Sequence, residues 1–569
     1  MNDTYQLAIV GFGPRGLFAL EQFYLVAAQS NHQELPKTLI FEPNDELGVG
    51  KAWSVKQPDA NWINIADRAL DTFPARPAMH IAQMDIPEFP SYLKWLEEVM
   101  DHHVSDIKDT YHRRKVMGTY LNQRTHSLLE RLETYGCVDI VNQEAVALSK
   151  KNQVFTLETA QKSYQAIKVV LALGHLPTAM SSQNQKFKKH AQEQDLHFSA
   201  HCYSQEALAF YAFAKAISIK GLGLSMIDVV RMVIAHYDGD FELIKGSYHL
   251  KYKAREEHPI LIPFSLDGLP TVPKPFGHPM DVAYEMLTDR KQVLMEQLER
   301  LRDDEGTTVK QLVRAIAHEM IKIYSRLDLA HGNSRLDHEL MVDLLTEWLM
   351  DPSTSHDLIL DTSLPITDYI ETTCAMAMGT APPSLDYVAG QIWRQLQPDL
   401  YMVFSHKTAP SLMADFIKID EQTKRYSYGP PVESMLQLLA LHQAQILHLD
   451  VVNDPNIDLK KDGFKLSQNG SSHTANAMVD AIIPAPDVTE VKSPLIKNLL
   501  KDGFAQQVHE KLGFQVDQDA THLVHGRRIE GLYSFGRLAK GSVYGVDAIL
   551  ECFNEKKLKS WREQLSFDH

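Results

Sequence analysis

The sequence predicts an α/β fold with two strand–turn–helix units and a large, mostly helical insertion. Three observations predict it: a glycine-rich turn at residues 11–16, a second at residues 221–225, and helical patterns in most of residues 281–450. Each glycine turn follows a short apolar run and precedes an amphipathic one, as expected where a buried strand leads into a helix.

The first unit lies near the N-terminus, where residues 7–23 read LAIVGFGPRGLFALEQF. Residues 5–10 form an apolar run that is typical of a short buried strand. After the turn, Leu17, Leu20, Phe23 and Tyr24 recur at helical spacing, which predicts a helix packed on that strand.

The turn itself has the spacing GxGxxG of a Rossmann-type dinucleotide-binding site. Gly11 would permit the tight turn, Gly13 would let the backbone approach a pyrophosphate, and Gly16 would let the helix pack closely on the strand. Pro14 suits a first helical position, where an N–H group would have no helical partner. The turn therefore predicts a dinucleotide cradle.

An acidic residue stands where such a cradle places its ribose ligand. The next predicted strand is Thr38–Phe41, and Glu42 follows it, 26 positions after Gly16. A carboxylate at that strand end accepts hydrogen bonds from an adenosine ribose. The alternative is that three glycines and a glutamate fell into this order by chance.

A second, less complete unit begins near residue 216. Ala216–Lys220 predicts a strand, and Gly221, Gly223 and Ser225 open an amphipathic helix, but Met226 stands at the third glycine position. Two such turns in one chain indicate two dinucleotide sites, one for a flavin and one for a nicotinamide.

Several other segments have recognisable patterns. Residues 169–174 predict a buried strand between the two units, and residues 241–244 predict the strand that follows the second helix. Residues 92–100 and 118–133 have helical patterns. The basic run Arg113-Arg114-Lys115 indicates either a solvated face or a contact with a cofactor phosphate.

The rest of the chain suggests a long insertion and a late return. Residues 281–350 and 385–450 are helix-patterned and contain no nucleotide-type turn. Near the end, residues 531–541 predict a strand that breaks into a glycine-bounded turn, and residues 546–553 predict a helix. We therefore divide the chain into four parts: an FAD-binding first part (1–200), an NAD(P)-binding first part (201–280), the helical insertion (281–450) and a return to both dinucleotide-binding domains (451–569).

Composition limits the classes of function. The 569 residues are 44% hydrophobic and 23% charged, which is ordinary for a globular protein of several domains. The formal charge of −16 argues against nucleic acid as a partner, because phosphate neutralisation needs clustered Lys and Arg. No apolar run reaches the length of a membrane span, so we predict no membrane partner. Oligomeric state is left open.

Cysteine and histidine give no metal or redox motif. The four cysteines lie far apart without a CxxC pair, which favours a reduced cytoplasmic compartment. His318-Glu319 begins like the zinc motif HExxH, but Lys322 replaces its second histidine. His102, His103 and His112 come without a carboxylate at metal-ligand spacing. We predict no metal site.

Taken together, the motifs resemble the FAD/NAD(P)-binding family of bacterial flavoproteins, which is close to the flavin-dependent lysine, ornithine and aspartate N-monooxygenases. The resemblance covers most of the chain and is specific to the family rather than to one reaction. Its motifs, in order, are IVGFGPRG at the start, FEP…GVGKAW at 41–53, RRKVMGTYL at 113–121, LALGHLP at 171–177, IKGLGLSMIDVV at 219–230, RYSYGPP at 425–431 and LYSFGRLAKGS at 532–542.

The resemblance implies roles for individual residues. The cofactor-binding set falls into five groups: Gly11, Gly13, Pro14, Arg15, Gly16 and Glu42 for the FAD pyrophosphate and ribose; Gly48, Trp53 and Asn64 along the flavin ring; Arg113 and Arg114 towards the nucleotide; Gly221, Gly223 and Ser225 for NADPH or NADH; Gly536 and Gly541 at the flavin from the C-terminal side. Two departures weaken this set: Arg537 stands where many related flavoproteins have the ribityl-binding Asp, and Met226 replaces the third glycine of the second turn.

The resemblance implies an oxidoreductase in which NAD(P)H reduces FAD, and no catalytic residue is evident. Our first hypothesis is a monooxygenase in which the reduced flavin activates dioxygen, shielded from water, for transfer to a small amine or amino acid. The second is a flavin oxidoreductase without oxygen insertion. The third is a nucleotide-binding protein without turnover, since fold alone does not establish function.

Overall fold

The computed structural model describes residues 4–30, 32–105, 109–327 and 337–565. The strands are β1 (Thr4–Val10), β2 (Thr38–Phe41), β3 (Met79–Ile81), β4 (Met84–Ile86), β5 (Val138–Val141), β6 (Ala147–Lys151), β7 (Val154–Glu158), β8 (Ser163–Leu171), β9 (His197–Ser199), β10 (Ala216–Lys220), β11 (Gly239–Leu243), β12 (Leu250–Ala254), β13 (Ile260–Phe264), β14 (Asn456–Lys460), β15 (Gly463–Gln468), β16 (Ser471–Ala475), β17 (Ala477–Asp480), β18 (Thr521–Val524) and β19 (Arg527–Ser534).

Helices occupy much of the remaining chain. The α-helices are α1 (Pro14–Gln29), α2 (Tyr92–Met100), α3 (Arg114–Thr134), α4 (Ser182–Gln194), α5 (Gln205–Tyr211), α6 (Leu224–Ile234), α7 (His278–Val282), α8 (Thr288–Asp303), α9 (Val309–Arg326), α10 (His338–Met350), α11 (Ile366–Ala377), α12 (Leu385–Phe404), α13 (Pro410–Ser427), α14 (Val432–Gln443), α15 (Pro494–Lys501) and α16 (Glu555–Arg562). Short 3-10 turns span Lys51–Trp53, Asp67–Leu70, Gly536–Ala539 and Ile549–Glu551.

The first glycine turn lies at the carboxyl end of β1, an interior strand of the first sheet. Its strand order is β18-β19-β8-β1-β2-β5, with β7 and β6 added antiparallel beside β8. The pairs from β19 through β5 are parallel. Side chains of β1 alternate between two cores, with Leu7 and Ile9 on one face and Ala8 and Val10 on the other. Because both faces are covered there, the strand is apolar from Leu7 to Val10, as the sequence predicts.

The second sheet contains the second glycine turn. Its order is β13-β10-β17-β9, and all three pairs are parallel. Ile217 and Ile219 of β10 face the main core, whereas Ala216 faces a smaller core behind the sheet. This sheet is also covered on both faces, so the α/β class with two dinucleotide-type units is confirmed.

The chain crosses between the two sheets twice, after β8 and after β17, and the two crossings run side by side. The amide of Ala179 donates to the carbonyl of Glu490, and the amide of Lys492 donates to the carbonyl of Pro177, both at 2.8 Å. The LALGHLP motif therefore begins a crossover, which joins the first sheet to the second.

The helices α7–α14 lie between β13 and β14 in the chain and form the predicted helical insertion. Among them, α8 packs on α9, α9 on α10, and α12 on α13. Their apolar stripes join the main core rather than forming a separate one, with Leu312, Ile316 and Trp393 fully buried there. The insertion is therefore part of the same packed body as the two sheets.

Two predicted elements differ in the structure. Residues 241–243 of the predicted strand 241–244 belong to β11, but β11 pairs antiparallel with β12 in a separate two-stranded sheet, and β13 takes the place beside β10. Residues 546–553 are not an α-helix. The carbonyl of Val546 accepts a hydrogen bond from Arg15, and Asp547 pairs with side chains of distant segments, so tertiary partners replace the expected helical ones.

Within the described ranges, we find no helix with both the length and the apolar character needed to cross a bilayer.

Candidate functional site

The first glycine turn connects β1 to α1. Gly11 has φ of +87°, and a Cβ there would lie 2.9 Å from the carbonyl oxygen of Ala172, so the position requires glycine on both counts. A Cβ on Gly16 would lie 2.5 Å from the carbonyl oxygen of Gly11. Both glycines therefore serve the packing of this turn against its own neighbours.

Gly13 differs from these two glycines. Its backbone is extended, with φ −84° and ψ −164°, which any residue can adopt. The nearest atom to an added Cβ, outside the chain neighbours, is the Cα of Gly50 at 3.5 Å, an ordinary contact. The protein itself does not demand glycine at residue 13, so the demand would come from a ligand.

The start of α1 is suited to an anion. Gly13 is its N-cap and offers no capping side chain, and Pro14 occupies the first helical position. The free N–H groups of the first turn carry the positive end of the helix dipole, which favours phosphate. The side chain of Arg15 donates instead to the carbonyls of Val546 and Glu551, at 2.7 and 3.2 Å, and so joins the turn to the C-terminal segment.

Glu42 holds the first glycine turn in place through a hydrogen bond to its backbone. Its Oε2 accepts from the amide of Phe12 at 2.8 Å, and its Oε1 accepts from the amide and side chain of Asn44. A carboxylate offers about four lone-pair directions, so these three bonds leave one for a ribose hydroxyl. The side chain is buried at the end of β2, where a ribose would lie in such a fold.

The segment expected along the flavin ring lies against the first turn. The amide of Gly48 donates to the carbonyl of Phe12 at 2.7 Å, and Gly50 contacts Gly13. Gly48 has φ of +80°, and a Cβ there would lie 1.8 Å from Oγ1 of Thr125. Trp53 closes the segment, with its carbonyl packed on Gly118 of α3.

The second glycine turn reproduces the geometry of the first. Gly221 has φ of +112°, as Gly11 has +87°. Gly223 caps α6 with φ −84° and ψ −168°, within a few degrees of Gly13, and nothing lies within 4 Å of a Cβ added there. Ser225 is buried in the first turn of α6. The residue at the third glycine position, Met226, is buried in the main core.

The two arginines of the RRK run have different surroundings. Arg113 is half exposed and lies 3.4 Å from Asp59. Arg114 is largely buried, and its Nη2 donates to Oδ2 of Asp228 on α6, which also accepts from the hydroxyl of Tyr203. The Arg114 guanidinium is therefore committed to the second dinucleotide unit, and the structure gives no support for a phosphate contact by this group.

A second contact joins the same two regions. The guanidinium carbon of Arg231 on α6 lies 3.8 Å from the centre of the Trp62 ring. Ser434 and Gln437 of α14 accept hydrogen bonds from the same guanidinium. Burial lowers the pKa of Arg231 to about 10. The flavin-side segment, α6 and the helical insertion thus meet at this arginine.

The C-terminal residues of the predicted site separate into two groups. Gly536 follows β19, and the side chain of Arg15 lies where its Cβ would be, so Gly536 belongs with the first turn. Gly541 instead contacts Val508 and Leu512. Arg537, which stands where many related flavoproteins have an aspartate, pairs with an acid from elsewhere in the chain: its Nη1 donates to Asp547 at 2.7 Å.

One cluster was not anticipated from the sequence. The side chain of Asn64 makes no hydrogen bond described in the structure. The backbone carbonyl of Asn64 accepts a hydrogen bond from the ammonium of Lys274. Arg68 and Arg394, both paired with Asp281, lie close by. The feature of the sequence that marks this cluster is a lysine between two prolines, in VPKPFG at residues 272–277.

Three groups of histidine and carboxylate side chains each bring three possible ligand atoms within 4.8 Å of one another, a proximity that the sequence spacing does not reveal. Within the described residues they are Asp67/His102/His112, His318/His338/Glu339 and His448/Asp450/His473. The carboxylate missing from the sequence spacing around His102 and His112 is Asp67, which lies 2.7 Å from Nε2 of His102. Such groups also occur without an ion, so this proximity alone assigns none.

Two parallel sheets, each with a glycine turn leading from a strand into an uncapped helix, define an α/β protein with two dinucleotide-binding units. Residues 8–176 match the family described as FAD-NAD(P)-binding. FAD and a nicotinamide dinucleotide are therefore confirmed as the cofactor class predicted from the sequence.

Two curated proteins are similar over most of their length. Nitrosuccinic acid synthase of Aspergillus oryzae is 22% identical, with 87% of this chain and 81% of that protein aligned. The nitrosuccinate-forming L-aspartate N-monooxygenase of Streptomyces davaonensis is 21% identical, with 94% and 88% aligned. Among solved structures, L-lysine 6-monooxygenase from Pseudomonas syringae aligns over 99% of both chains, with 12% identity and a TM-score of 0.44.

Proposed function

We propose that the protein is an FAD- and NAD(P)H-dependent monooxygenase that hydroxylates the nitrogen of a small amine or amino acid. The observation that carries the proposal is the pair of glycine turns of matching geometry, one in each parallel sheet, in a chain that aligns over most of its length with two N-oxidising enzymes. The turns support the cofactors, and the relatives support oxygen insertion.

The first turn would hold FAD. The free N–H groups at the start of α1 would bind the pyrophosphate, and Gly13 would allow its close approach. Glu42, which keeps one lone-pair direction free, would accept a hydrogen bond from the ribose. These residues bind and orient; when bound and reduced, the flavin supplies the oxygen-activating chemistry.

The second turn would hold NADPH or NADH in the same way. Gly223 leaves open space at the start of α6, and no side chain caps the helix. Ser225 is buried inside the first turn of the same helix. Which of the two nicotinamide dinucleotides binds is left to measurement.

The residues between the two turns would position the two cofactors relative to each other. The pair Arg114–Asp228 and the stacking of Arg231 on Trp62 both join the flavin side to α6. Since α6 begins at the nicotinamide turn, these contacts would fix the distance across which a hydride moves. Arg114 is thus proposed as a positioning residue, and no residue is proposed as a general base.

The decisive experiment begins with the purified protein and its absorption spectrum. We expect a flavin spectrum, bleaching by NADPH or NADH, and faster reoxidation in air when an amino acid or amine is supplied, with hydroxylated product equal to the dinucleotide consumed. Dinucleotide consumption by an artificial acceptor without any dependence on an amine would establish an oxidoreductase that inserts no oxygen. A colourless protein that binds neither cofactor would refute both.

The remaining sequence predictions belong to this proposal as well. The cytoplasmic location has support from the four cysteines, all of which are unpaired thiols in the structure. The four-part division of the chain remains a prediction, although both sheets include strands from early and late segments.

A further inference from the structure

Three side chains from three separate segments meet close to the segment expected along the flavin ring. Asp67 begins the 3-10 turn Asp67–Leu70, His102 follows α2, and His112 precedes α3. One carboxylate oxygen of Asp67 and one ring nitrogen of each histidine lie within 4.8 Å of one another. The rings of His102 and His112 are edge-to-face, with their centres 4.6 Å apart. The fold thus brings two imidazoles and one carboxylate to one point.

The Asp67 carboxylate is fully buried, and among the described residues no lysine or arginine nitrogen lies within 4.0 Å of it. Oδ1 accepts from the backbone amide of Arg68 at 2.8 Å, and Oδ2 lies 2.7 Å from Nε2 of His102, which is charged only when protonated. The guanidinium of Arg68 pairs with Asp109 and Asp281 instead. A buried carboxylate of this kind is costly unless a cation or a metal ion joins it.

A ring nitrogen of His112 also lacks a partner. Within the part of the chain that the structure describes, Nε2 of His112 is buried and makes no hydrogen bond. Buried side-chain nitrogens are nearly always bonded, so an unbonded one needs an explanation. The backbone of this residue is held, because its carbonyl accepts from the amide of Ile63 at 2.8 Å. The imidazole is therefore a fixed group with an unused nitrogen, close to a carboxylate that lacks a cation.

One divalent transition-metal ion would satisfy both groups. Two neutral imidazoles and one carboxylate form a ligand set that suits Zn²⁺, whereas Mg²⁺ and Ca²⁺ prefer oxygen ligands alone. At zinc bond lengths of about 2.0–2.2 Å, tetrahedral ligand atoms lie about 3.3 Å apart. The oxygen and nitrogen that are 2.7 Å apart would have to separate slightly, and no two of the three atoms are farther apart than 4.8 Å. Small rotations of the side chains would therefore complete the site.

We propose that Asp67, His102 and His112 bind a zinc ion, with water in the fourth tetrahedral position. The proposal goes beyond the proposed function, since none of these residues is assigned to FAD or to NAD(P)H. The ion would be structural. The amides of Ile63 and Asp67 already donate to the carbonyls of His112 and Thr110, at 2.8 and 3.0 Å. The ion would hold the same two segments together through their side chains and would join the end of α2 to them.

The test uses the full-length protein, treated with a chelator, returned to metal-free buffer with its thiols reduced, and titrated with Zn²⁺. Calorimetry gives the Kd, and elemental analysis after dialysis gives the number of ions per chain. The variant is His112→Phe, which keeps an aromatic ring against His102 and removes the nitrogen. The matched controls are His318→Phe and His473→Phe, each of which removes one possible ligand from another of the three groups.

We expect the wild type to retain one more ion per chain than His112→Phe does. Loss of a residue that only orients a metal ligand costs about 10- to 100-fold in affinity, so loss of the ligand itself should raise the Kd of Zn²⁺ at least about 100-fold. Both controls should keep the wild-type Kd for that ion. Without metal, His112→Phe should unfold at nearly the same urea concentration as the wild type, because Nε2 makes no hydrogen bond that could be lost.

Three results would overturn the proposal. They are a wild type that retains no Zn²⁺ after dialysis, a His112→Phe variant that binds Zn²⁺ as tightly as the wild type does, and loss of the tightly bound ion from a control instead. The last would place the ion at another of the three groups. Failure of the proposed function is distinct, because zinc binding is measured without dinucleotide, substrate or reduction of FAD.

If His112→Phe does not fold, hydrogen exchange in the wild type decides. Zn²⁺ should slow the exchange of the amides of Ile63 and Asp67, because their acceptors lie on the segment that the ion holds. The amides of β16, which carries His473, should exchange at the same rate with and without Zn²⁺. Unchanged exchange at residues 61–67, or slower exchange in β16 alone, would overturn the proposal.

Discussion

Gly13→Ala is the most informative substitution in the chain, because the structure predicts opposite effects on folding and on FAD. The backbone at Gly13 suits alanine, and an added methyl would lie 3.5 Å from the Cα of Gly50, its nearest neighbour apart from residues 12 and 14. Replacement of glycine at a compatible site stabilises a fold by about 0.4–1 kcal/mol, because the unfolded chain has fewer conformations to lose. We therefore expect unfolding of the apoprotein by urea to need slightly more denaturant.

The same methyl should interfere with FAD. It would stand at the start of α1, between the backbone and a pyrophosphate that must approach closely. A forced overlap of this kind costs about 1–3 kcal/mol, which is about a 5- to 150-fold rise in the Kd of FAD. The assay is reconstitution of apoprotein with FAD, followed by flavin fluorescence.

Gly223→Ala is the matched control, because this residue has almost the same backbone angles and open space around it. Gly223→Ala should raise the Kd of NADPH or NADH by a similar factor and leave the Kd of FAD unchanged. Equal FAD affinity in wild type and Gly13→Ala, with both proteins folded, would refute the assignment of the first turn. Loss of FAD from Gly223→Ala alone would mean that the two turns have been assigned in the wrong order.

Two further substitutions test contacts that hold the site in place. Asp228→Asn should destabilise the protein by about 2–4 kcal/mol in urea unfolding, because it leaves the largely buried Arg114 without its counter-charge, and it should slow flavin reduction at saturating dinucleotide; unchanged stability would mean that the pair contributes nothing. Gly48→Ala should cost more than Gly246→Ala, because both glycines have similar positive φ but only Gly48 places a Cβ inside the Thr125 side chain; equal unfolding midpoints would show that Thr125 simply moves aside.

The sequence was sufficient for the parts of the fold that depend on neighbouring residues. The apolar run before Gly11, the glycine turn and the helix after it are consecutive in the chain. The pattern of each segment therefore supports the structure predicted for the next. The same holds for β10 and α6. The strand predicted after the second helix is β11, but its partner is β12 in a separate sheet, which the sequence did not reveal because pairing partners depend on chain topology rather than on the local apolar pattern.

Residues brought together by the fold could not be predicted in the same way. Arg114 was expected to approach a nucleotide, and no local pattern reveals that Asp228, more than a hundred positions later, takes its charge. Lys274 and Asn64 meet across an even larger separation, 210 positions. In both cases the sequence shows a charged residue in an unusual setting: Asp228 in an apolar helical segment and Lys274 between two prolines. It does not show the partner of either residue.

The departure at Arg537 becomes intelligible once the segment after it is seen not to be helical. Burial would raise the pKa of Asp547, but Lys424, Lys540 and Arg537 surround it and hold that pKa well below its usual range. A helix through residues 546–553 would have to satisfy its own backbone, whereas the observed turn presents Asp547 to all three cations. Asp547, an acid from a different position, thus neutralises the arginine that stands after Gly536.

Arg537 also connects the first sheet to the second. It follows β19 of the first sheet, and its guanidinium donates to the carbonyl of Pro484, which follows β17 of the second sheet. The carboxyl ends of these strands therefore face one another, and the edges where parallel sheets bind dinucleotides lie on the same side of the contact. Together with the pair Arg114–Asp228, this gives two contacts that join the first sheet and its flanking segments to the second sheet.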